Sequence, residues 1–156
     1  MDWQDTFGRW QVVRDGDPLV FSLARRHYSF RDYKRKARRD RRIAGPGEKL
    51  VLLTLDGRAL CIWRRFRDRS GQSGICCALF RNEGAGLSSE LLLEAEALAR
   101  ARWPDAKRFY TYVDPAKVRS ANPGYCFKAA GWRRCGQTKS GLIVLEKLVE
   151  EQNDHG

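Results

Sequence analysis

The sequence has no hydrophobic run long enough to cross a membrane and no cysteine motif. A transmembrane helix needs roughly 20 apolar residues, and no stretch of the chain approaches that length. The opening Met-Asp-Trp-Gln-Asp lacks the basic and then apolar order of a secretory signal. The five cysteines form no Cys-x-x-Cys pair, so neither a zinc site nor a disulfide scaffold is indicated. We therefore expect a cytoplasmic protein without a membrane partner.

No internal repeat or low-complexity linker divides the 156 residues. Hydrophobic residues make up 42% of the chain and charged residues 31%, a balance that supports a packed core with a water-facing surface. A chain of this length fits one domain of ordinary size. We predict a single domain over residues 1–149 and a flexible tail over residues 150–156.

Positive charge is concentrated in one segment, residues 25–42. The segment holds ten Lys or Arg and two Asp, a local charge of +8 in a chain whose net charge is +11. Clustered cations attract polyanions through counterion release, and interleaved aromatic rings can stack on bases. A solvated basic loop without a specific partner also explains the charge. The candidate nucleic-acid-binding residues are Arg31, Tyr33, Lys34, Arg35, Lys36, Arg38 and Arg39.

Hydrophobic periodicity and turn residues predict a mixed α/β chain. Asp56-Gly57 is a strong hairpin signal between two apolar runs. Asp17 followed by Pro18 predicts the start of a helix. The predicted strands are residues 10–14, 49–55, 58–66, 74–80, 108–113, 132–135 and 142–148. The predicted helices are residues 18–26, 88–102 and 122–130, with Ser88 as the cap of the longest one.

A glycine-containing loop separates the third long strand from the longest helix. It reads Arg81-Asn-Glu-Gly84-Ala-Gly86. Glycines permit close approach of the main chain to a ligand, and the first N–H groups of a helix attract phosphate oxygens. Arg81 adds a mobile cation. A tight strand-to-helix turn without a ligand explains the same pattern when the loop is taken alone.

The element order and this loop resemble the GNAT superfamily of acyl-CoA-dependent N-acyltransferases, whose loop reads Arg or Gln-x-x-Gly-x-Gly or Ala. Downstream, Asn122 and Gly131-Trp132 resemble the superfamily's Asn-led short helix that ends in Gly plus an aromatic residue. The resemblance implies α/β architecture with a mixed, mostly antiparallel sheet of about six to seven strands and helices on both faces. It also implies acetyl-CoA or another acyl-CoA as cofactor. The residues it assigns to the cofactor are Arg81, Asn82, Gly84, Ala85, Gly86, Leu87, Ser88, Asn122 and Phe127.

One position departs from the superfamily pattern. The common general acid is a Tyr four residues before the glycine of the short helix, and this chain has Phe127 there. Tyr125 is the nearest phenol and our candidate for the role. Two residues along a helix rotate a side chain by about 200°, so Tyr125 is expected to face away from the position of Phe127. Either another group supplies the proton, or the reaction is not ordinary acetyl transfer.

A second resemblance concerns the acceptor. His27-Tyr28-Ser29, Arg31 and Tyr112-Val-Asp114-Pro115 are similar to short stretches of phage Mom-type proteins, which are GNAT-fold enzymes that modify adenine in DNA. This resemblance implies that His27, Tyr28 and Asp114 lie around the active site and that the protein is phage or prophage encoded. It further implies that an iron ion participates, and His27 and Asp114 are then the candidate metal ligands.

The chemistry of His27 and Asp114 supports a modest independent argument. Asp114 follows a predicted strand at the end where α/β proteins place reactive groups, and its carboxylate could accept a proton. Asp-Pro also starts turns without any further role. His27 titrates near neutral pH and could act as a base, a ligand or a phosphate contact, although lone histidines are often structural.

The favoured hypothesis is an acyltransferase that modifies a base amine in DNA, because two anionic ligands are indicated by two separate features. CoA would occupy the glycine loop and DNA the basic segment. An acetyltransferase for a small amine or peptide is the first alternative. A non-catalytic DNA-binding protein of the same fold is the second, and Phe127 is the residue that favours it.

Overall fold

The computed structural model describes residues 6–27, 41–118 and 122–149. Eight strands form one sheet in the order β1-β2-β3-β4-β5-β6-β8-β7, and all neighbours pair antiparallel except β5 and β6. The strands are β1 (Thr6–Phe7), β2 (Trp10–Val13), β3 (Glu48–Thr54), β4 (Ala59–Arg65), β5 (Ile75–Asn82), β6 (Arg108–Val113), β7 (Arg133–Gln137) and β8 (Ile143–Leu148). The helices are α1 (Pro18–Ala24), α2 (Ser88–Arg102) and α3 (Tyr125–Ala129).

Helices cover both faces of the sheet, as predicted, because side chains alternate along each strand. In β4, Cys61 and Trp63 pack with α2 and α3, whereas Leu60 and Ile62 pack with α1. A strand whose side chains are apolar on both faces must be covered on both. The larger core lies under α2 and α3, and it contains most of the buried aromatic rings.

Local sequence signals account for most of the element boundaries. The Asp17 side chain accepts a hydrogen bond from the Leu19 amide and caps α1 at Pro18. The Asp56-Gly57 turn joins β3 and β4 as predicted, with the Thr54 hydroxyl donating to Asp56 at 2.7 Å. These contacts connect the sequence pattern directly to the sheet register.

Some predicted boundaries are wrong. Strand β5 continues two residues further, so Arg81 and Asn82 belong to the sheet and not to the loop. Ser88 does not cap α2, because Leu87 occupies the cap position and makes no side-chain capping bond. Helix α3 begins at Tyr125, three residues later than predicted. The two-residue strand β1 has no periodic signal and was not predicted, which brings the sheet to eight strands.

Strands β5 and β6 are parallel and separate soon after they meet. Only Ile75–Phe109 and Cys76–Tyr110 are paired, although β5 has eight residues and β6 has six. A register shift in the pairing with β4 leaves Ala78 as the extra residue of a bulge. Beyond the last pair, β5 and β6 are no longer paired, and the space between these unpaired ends is called the gap below.

Among the residues that the structure describes, no helix has the length and apolar character needed to cross a membrane. Cys61, Cys76 and Cys77 are buried, Cys126 is half-buried and Cys135 is exposed, and all five are free thiols.

Gly74 sets the point at which β5 joins β6, and its replacement by Ala is expected to destabilise the fold. Its φ is +117°, and an added Cβ would lie 2.3 Å from the carbonyl oxygen of Arg108. Backbone cannot move aside cheaply, so we expect Gly74→Ala to lower the free energy of unfolding by about 3 kcal/mol. Gly71→Ala is the matched control, since φ of Gly71 is +88° but no atom lies within 4 Å of the position that its Cβ would take. Denaturant unfolding of both variants checks this, and equal losses would contradict the steric explanation.

Candidate active site

The candidate site is the gap between β5 and β6 with the loop that follows β5. The Thr111 hydroxyl donates to the Cys77 carbonyl at 2.8 Å and marks the end of the contact between the two strands. Beyond it, residues 78–82 of β5 have no pairing with β6. A strand edge without a partner strand presents main-chain N–H and C=O groups that a ligand can pair with. The gap therefore offers a binding edge that opens towards the glycine loop.

The glycine loop is held in shape by the side chain of Asn82. Its Oδ1 accepts hydrogen bonds from the amides of Gly84 at 3.1 Å and Ala85 at 2.9 Å. Its Nδ2 donates to the Gly86 carbonyl at 2.7 Å and to the Ser88 hydroxyl at 2.9 Å. Asn82 thus occupies two of the amides that were predicted to bind phosphate. A phosphate oxygen at these two amides would replace Asn82 Oδ1.

Both glycines of the loop need their conformational freedom. Gly84 has φ +95° and Gly86 has φ +152°. The guanidinium of Arg9 lies over Gly86, with Nη1 at 2.6 Å from the position that a Cβ would take. Arg9 is held there by Glu94, to which Nε donates at 2.9 Å. A second cation beyond Arg81 therefore borders the loop, although it comes from the β1–β2 turn.

Arg81 is fixed and not mobile, which corrects the sequence-based interpretation. Its Nε donates to Glu83 at 2.6 Å and its Nη1 donates to the Arg26 carbonyl at 2.9 Å. Glu83 also accepts from the Arg26 guanidinium. Hydrogen bonds from Arg26 and then Arg81 lower the pKa of the Glu83 carboxyl to about 2. These contacts join the end of α1 to the loop, so the two segments form one surface.

Helix α2 begins directly after the loop, and no side chain caps its N-terminus. Its cap residue Leu87 is 62% exposed and makes no side-chain capping bond. The first N–H groups of a helix without a cap carry partial positive charge and bind anions. Glu90 lies in the first turn, where a carboxylate partly offsets that charge. The amides at the start of α2 are thus candidate phosphate donors besides those that Asn82 occupies.

His27 lies beside β5 beyond the point where β6 leaves it. The imidazole is half-buried and has a hydrogen bond with the Phe80 backbone. Burial first, and then the nearby Arg81 charge, lower the pKa of His27 to about 4, against a small opposing effect of the Phe80 bond. The ring is therefore neutral at physiological pH. His27 thus lies beside the unpaired end of β5, and its neutral ring can accept a proton. Its place in an active site stays a prediction.

Asp114 lies at the end of β6, on the other side of the gap opening. Its Oδ1 accepts a hydrogen bond from the Ala116 amide at 3.0 Å, and its carbonyl accepts from Lys117 and Val118. These bonds are those of an Asp that begins a turn. The turn-forming role that Asp-Pro allowed is therefore present, and no described contact joins Asp114 to His27.

Phe127 and Tyr125 point in different directions, as the helical rotation predicts. Phe127 is 8% exposed and packs edge-on against Phe80 and Trp132, with ring centroids at 6.2 and 5.0 Å. Tyr125 is 64% exposed. Phe127 therefore lines the part of the core next to the unpaired end of β5, whereas Tyr125 faces solvent. Asn122 is at the surface, where its side chain accepts from Lys128 at 2.7 Å.

Several predicted site residues lie outside the described ranges. They include Tyr28 and every candidate nucleic-acid-binding residue, namely Arg31, Tyr33, Lys34, Arg35, Lys36, Arg38 and Arg39. The tail over residues 150–156 lies outside as well. Within the described ranges, no group of three or more His, Cys, Asp or Glu is arranged to hold a metal ion. The described residues therefore do not support the iron ion that the Mom-type resemblance implied.

The architecture matches a solved structure over most of its length. The GNAT domain of S. lividans PAT superposes with a TM-score of 0.62 and 21% identity, covering 90% of this chain and 89% of that one. The chain has the GNAT fold. Two structures of the aminoglycoside acetyltransferase AAC(6')-Ib show lower similarity. The complex with coenzyme A has a TM-score of 0.46, 18% identity and coverage of 64% and 66%. The complex with ribostamycin and coenzyme A has a TM-score of 0.48, 17% identity and coverage of 69% and 70%.

No protein-family model matches the chain, and no curated protein matches its sequence. The structural neighbours named above do not link the chain to phage Mom-type proteins. The superposition on the GNAT domain of S. lividans PAT confirms the GNAT fold that the loop and the element order predicted.

The sequence did not reveal the role of one contributor to the site, and it did not indicate another at all. Asn82 was assigned to the cofactor, but its role in shaping the GNAT loop was not foreseen. An Asn two residues before a Gly is a signal for a side chain that bonds the following amides, and it could have been recognised. Arg9 was missed because no local pattern relates it to Gly86, which is 77 positions away in the chain.

Proposed function

We propose that the chain is an acyl-CoA-dependent N-acyltransferase that holds the CoA diphosphate on residues 81–88. The observation that carries the proposal is the divergence of β5 from β6 directly before that loop. A diphosphate at the start of α2 places the pantetheine arm along the unpaired edge of β5. The CoA complexes of AAC(6')-Ib indicate that proteins sharing part of this architecture bind that cofactor.

The reaction is nucleophilic attack of an amine on the thioester carbonyl. Main-chain N–H groups at the free edge of β5 donate to the carbonyl oxygen as negative charge develops on it. The carbon–nitrogen bond forms, the carbon–sulfur bond breaks, and the amine loses one proton while the CoA thiolate gains one. Holding both reactants in the gap supplies proximity and orientation.

His27 is the proposed proton acceptor, in preference to Asp114. Its ring lies beside β5 at the gap and is neutral, whereas the Asp114 carboxylate begins a turn. Once protonated, an imidazole whose pKa is about 4 is a stronger acid than an ordinary imidazolium. It can therefore return the proton to the departing thiolate, which removes the need for a Tyr at the position of Phe127.

The proposed acceptor is a base amine in DNA, and the protein is then a Mom-like enzyme of phage or prophage origin. The +8 charge of residues 25–42 supports a polyanionic partner. The low pKa of His27 also favours this acceptor class. An alkylamine with a pKa of about 10 must lose a proton before it attacks, and a weak base removes that proton poorly. A nucleobase amine is already neutral, and a duplex substrate would need its base extruded from the stack.

Mass spectrometry of nucleosides from DNA incubated with the protein and acetyl-CoA tests this proposal. We expect a nucleoside whose mass is increased by the acyl group, and no such product when CoA replaces acetyl-CoA. Product on a small amine or peptide, but none on DNA, would favour the first alternative. Absence of product with every acyl-CoA tried, together with retained DNA binding, would contradict the enzymatic proposal.

Replacement of His27 by Gln is expected to lower kcat/KM by about 100-fold or more, because a positioned general base contributes on that order. For the wild-type protein, kcat/KM should be flat from pH 8 to about 5 and fall as His27 becomes protonated near pH 4. Asp114→Asn is the comparison variant, with an expected loss below about tenfold. Initial rates measured across pH give the wild-type profile and the kcat/KM of both variants. A large loss for Asp114→Asn with little loss for His27→Gln would reverse the assignment.

A further inference from the structure

A polar cavity of about 900 Å³ lies on the sheet face opposite α2 and α3. Its walls are the β4–β5 loop and the β7–β8 turn, which contribute Ser70 and Thr138 among others. From β8, Val144 and Glu146 line the cavity, whereas Leu145 between them packs in the core under α2. The cavity therefore opens on the face that also carries α1 and not on the face that carries the long helix of the cofactor loop.

The charges of the cavity favour an anionic ligand. Among the described residues, Glu146 is the only carboxylate that lines it, and it accepts from Arg108 at 2.8 Å and from Arg133 at 3.1 Å. Two guanidinium groups thus neutralise that carboxylate. Arg69 and Lys139 also line the cavity and are exposed. Neither has an ion-pair partner within residues 6–27, 41–118 and 122–149, so the balance of charge is positive.

The cavity borders the strand that forms one side of the gap. Ser70 lines the cavity, and its hydroxyl is hydrogen-bonded to the hydroxyl of Tyr112. Tyr112 lies on β6 beyond the last residue that pairs with β5. Asp68 holds the Tyr112 side chain in place, because the hydroxyls of Tyr112 and Tyr110 both donate to its carboxylate. The wall of the cavity thus contacts β6 at a residue that no longer pairs with β5, on the sheet face opposite α2.

We propose that this cavity binds the acceptor and that the acceptor carries a phosphate group close to its amine. Arg69 and Lys139 would bind the phosphate, and the amides and hydroxyls of Gln72, Gln137 and Thr138 would bond the polar remainder. The proposal rests on the proposed acyltransferase function, since it assigns the second substrate of that reaction. Nucleotides and amino sugar phosphates share this chemistry, and the experiment below separates them.

Calorimetric titration of the full chain tests the cavity without requiring turnover. The probes are deoxyadenosine 5′-monophosphate and glucosamine 6-phosphate, each compared with its phosphate-free counterpart. We expect at least one phosphorylated probe to bind about tenfold more tightly than its counterpart, a difference typical of a charge-assisted contact. Arg69→Glu and Lys139→Glu should each weaken that binding by about tenfold. Arg100→Glu, an equal charge change on the exposed side of α2, should leave it unchanged.

The outcomes distinguish a nucleotide from an amino sugar phosphate, and they distinguish a failure of the acceptor cavity from a failure of the CoA site. Binding of the nucleotide alone agrees with the base amine proposed above, whereas binding of the sugar phosphate alone supports the cavity as an acceptor site but contradicts a DNA acceptor. Lack of binding by both probes, or equal binding of the phosphate-free counterparts, would overturn the cavity assignment. Equal weakening by Arg100→Glu would overturn it as well. CoA binding is measured separately, so a protein that binds CoA but neither probe contradicts this inference and not the proposed cofactor site.

Discussion

Asn82→Asp is expected to lower the affinity for CoA by about 100-fold, because it places a carboxylate where two main-chain amides should meet phosphate. The Asn82 amide oxygen already accepts from Gly84 and Ala85. A carboxylate oxygen would accept those bonds more strongly, as charge-assisted hydrogen bonds are roughly twice as strong as neutral ones. It would also repel the diphosphate directly. Like Asn82→Ala, the change removes the bonds that Nδ2 donates to Gly86 and Ser88. Calorimetric titration with CoA measures the loss.

Asn82→Ala separates charge from loop shape. This change removes the bonds to Gly86 and Ser88 but frees the amides of Gly84 and Ala85. We expect its CoA affinity to stay within about fivefold of the wild type, because the two effects oppose each other. Thermal unfolding should show that Asn82→Asp is folded, since a carboxylate near a helix start is favourable. Equal losses of CoA affinity in both variants would show that loop shape, and not the anion site, is affected.

Glu96→Ala is expected to destabilise the protein by about 3 kcal/mol, since it leaves the buried Trp132 indole N–H without its acceptor and the part-buried Lys147 without its carboxylate. Glu96 is 5% exposed and accepts from the Trp132 indole and from Lys147 at 2.8 Å. Lys147 also donates to the Ala130 carbonyl at 2.8 Å. The carboxylate therefore joins α2 to the end of α3 and to β8. For a chain of this size the midpoint of thermal unfolding should fall by about 6–12 °C.

Glu96→Gln is the matched control, because its amide oxygen still accepts from the Trp132 indole. We expect it to cost about 1 kcal/mol, as a neutral acceptor replaces a charged one. The pair of variants also tests how α2 is positioned, since the loop that begins this helix carries the proposed CoA site. A loss for Glu96→Gln as large as that for Glu96→Ala would attribute the stability to the charge alone. No loss for either would contradict the ion pair's role in stability.

The fold was predictable from the sequence because its signals are local. Alternating apolar residues, the Asp56-Gly57 turn and the Asp17 cap each act within a few positions, and the structure contains all three features. The pairing of β5 with β6 at only two residues is not such a local signal. The composition of β5 or of β6 taken alone does not predict a gap between them.

The site was less predictable because its properties depend on distant contacts. The neutral state of His27 arises from burial and from Arg81, which is 54 positions away. The immobility of Arg81 depends on the Arg26 carbonyl and on Glu83. The exposure of Tyr125 followed from helical rotation and was predicted. Local periodicity therefore predicts elements, whereas the charge state and partners of a side chain require the folded arrangement.

Calorimetric comparison of CoA with pantetheine, which lacks the diphosphate, tests the central claim most directly. If the amides of the loop and the start of α2 hold the diphosphate, CoA should bind at least about 100-fold more tightly than pantetheine. The advantage should shrink to about tenfold or less in Asn82→Asp. Equal affinity of the wild-type protein for the two molecules would contradict the account.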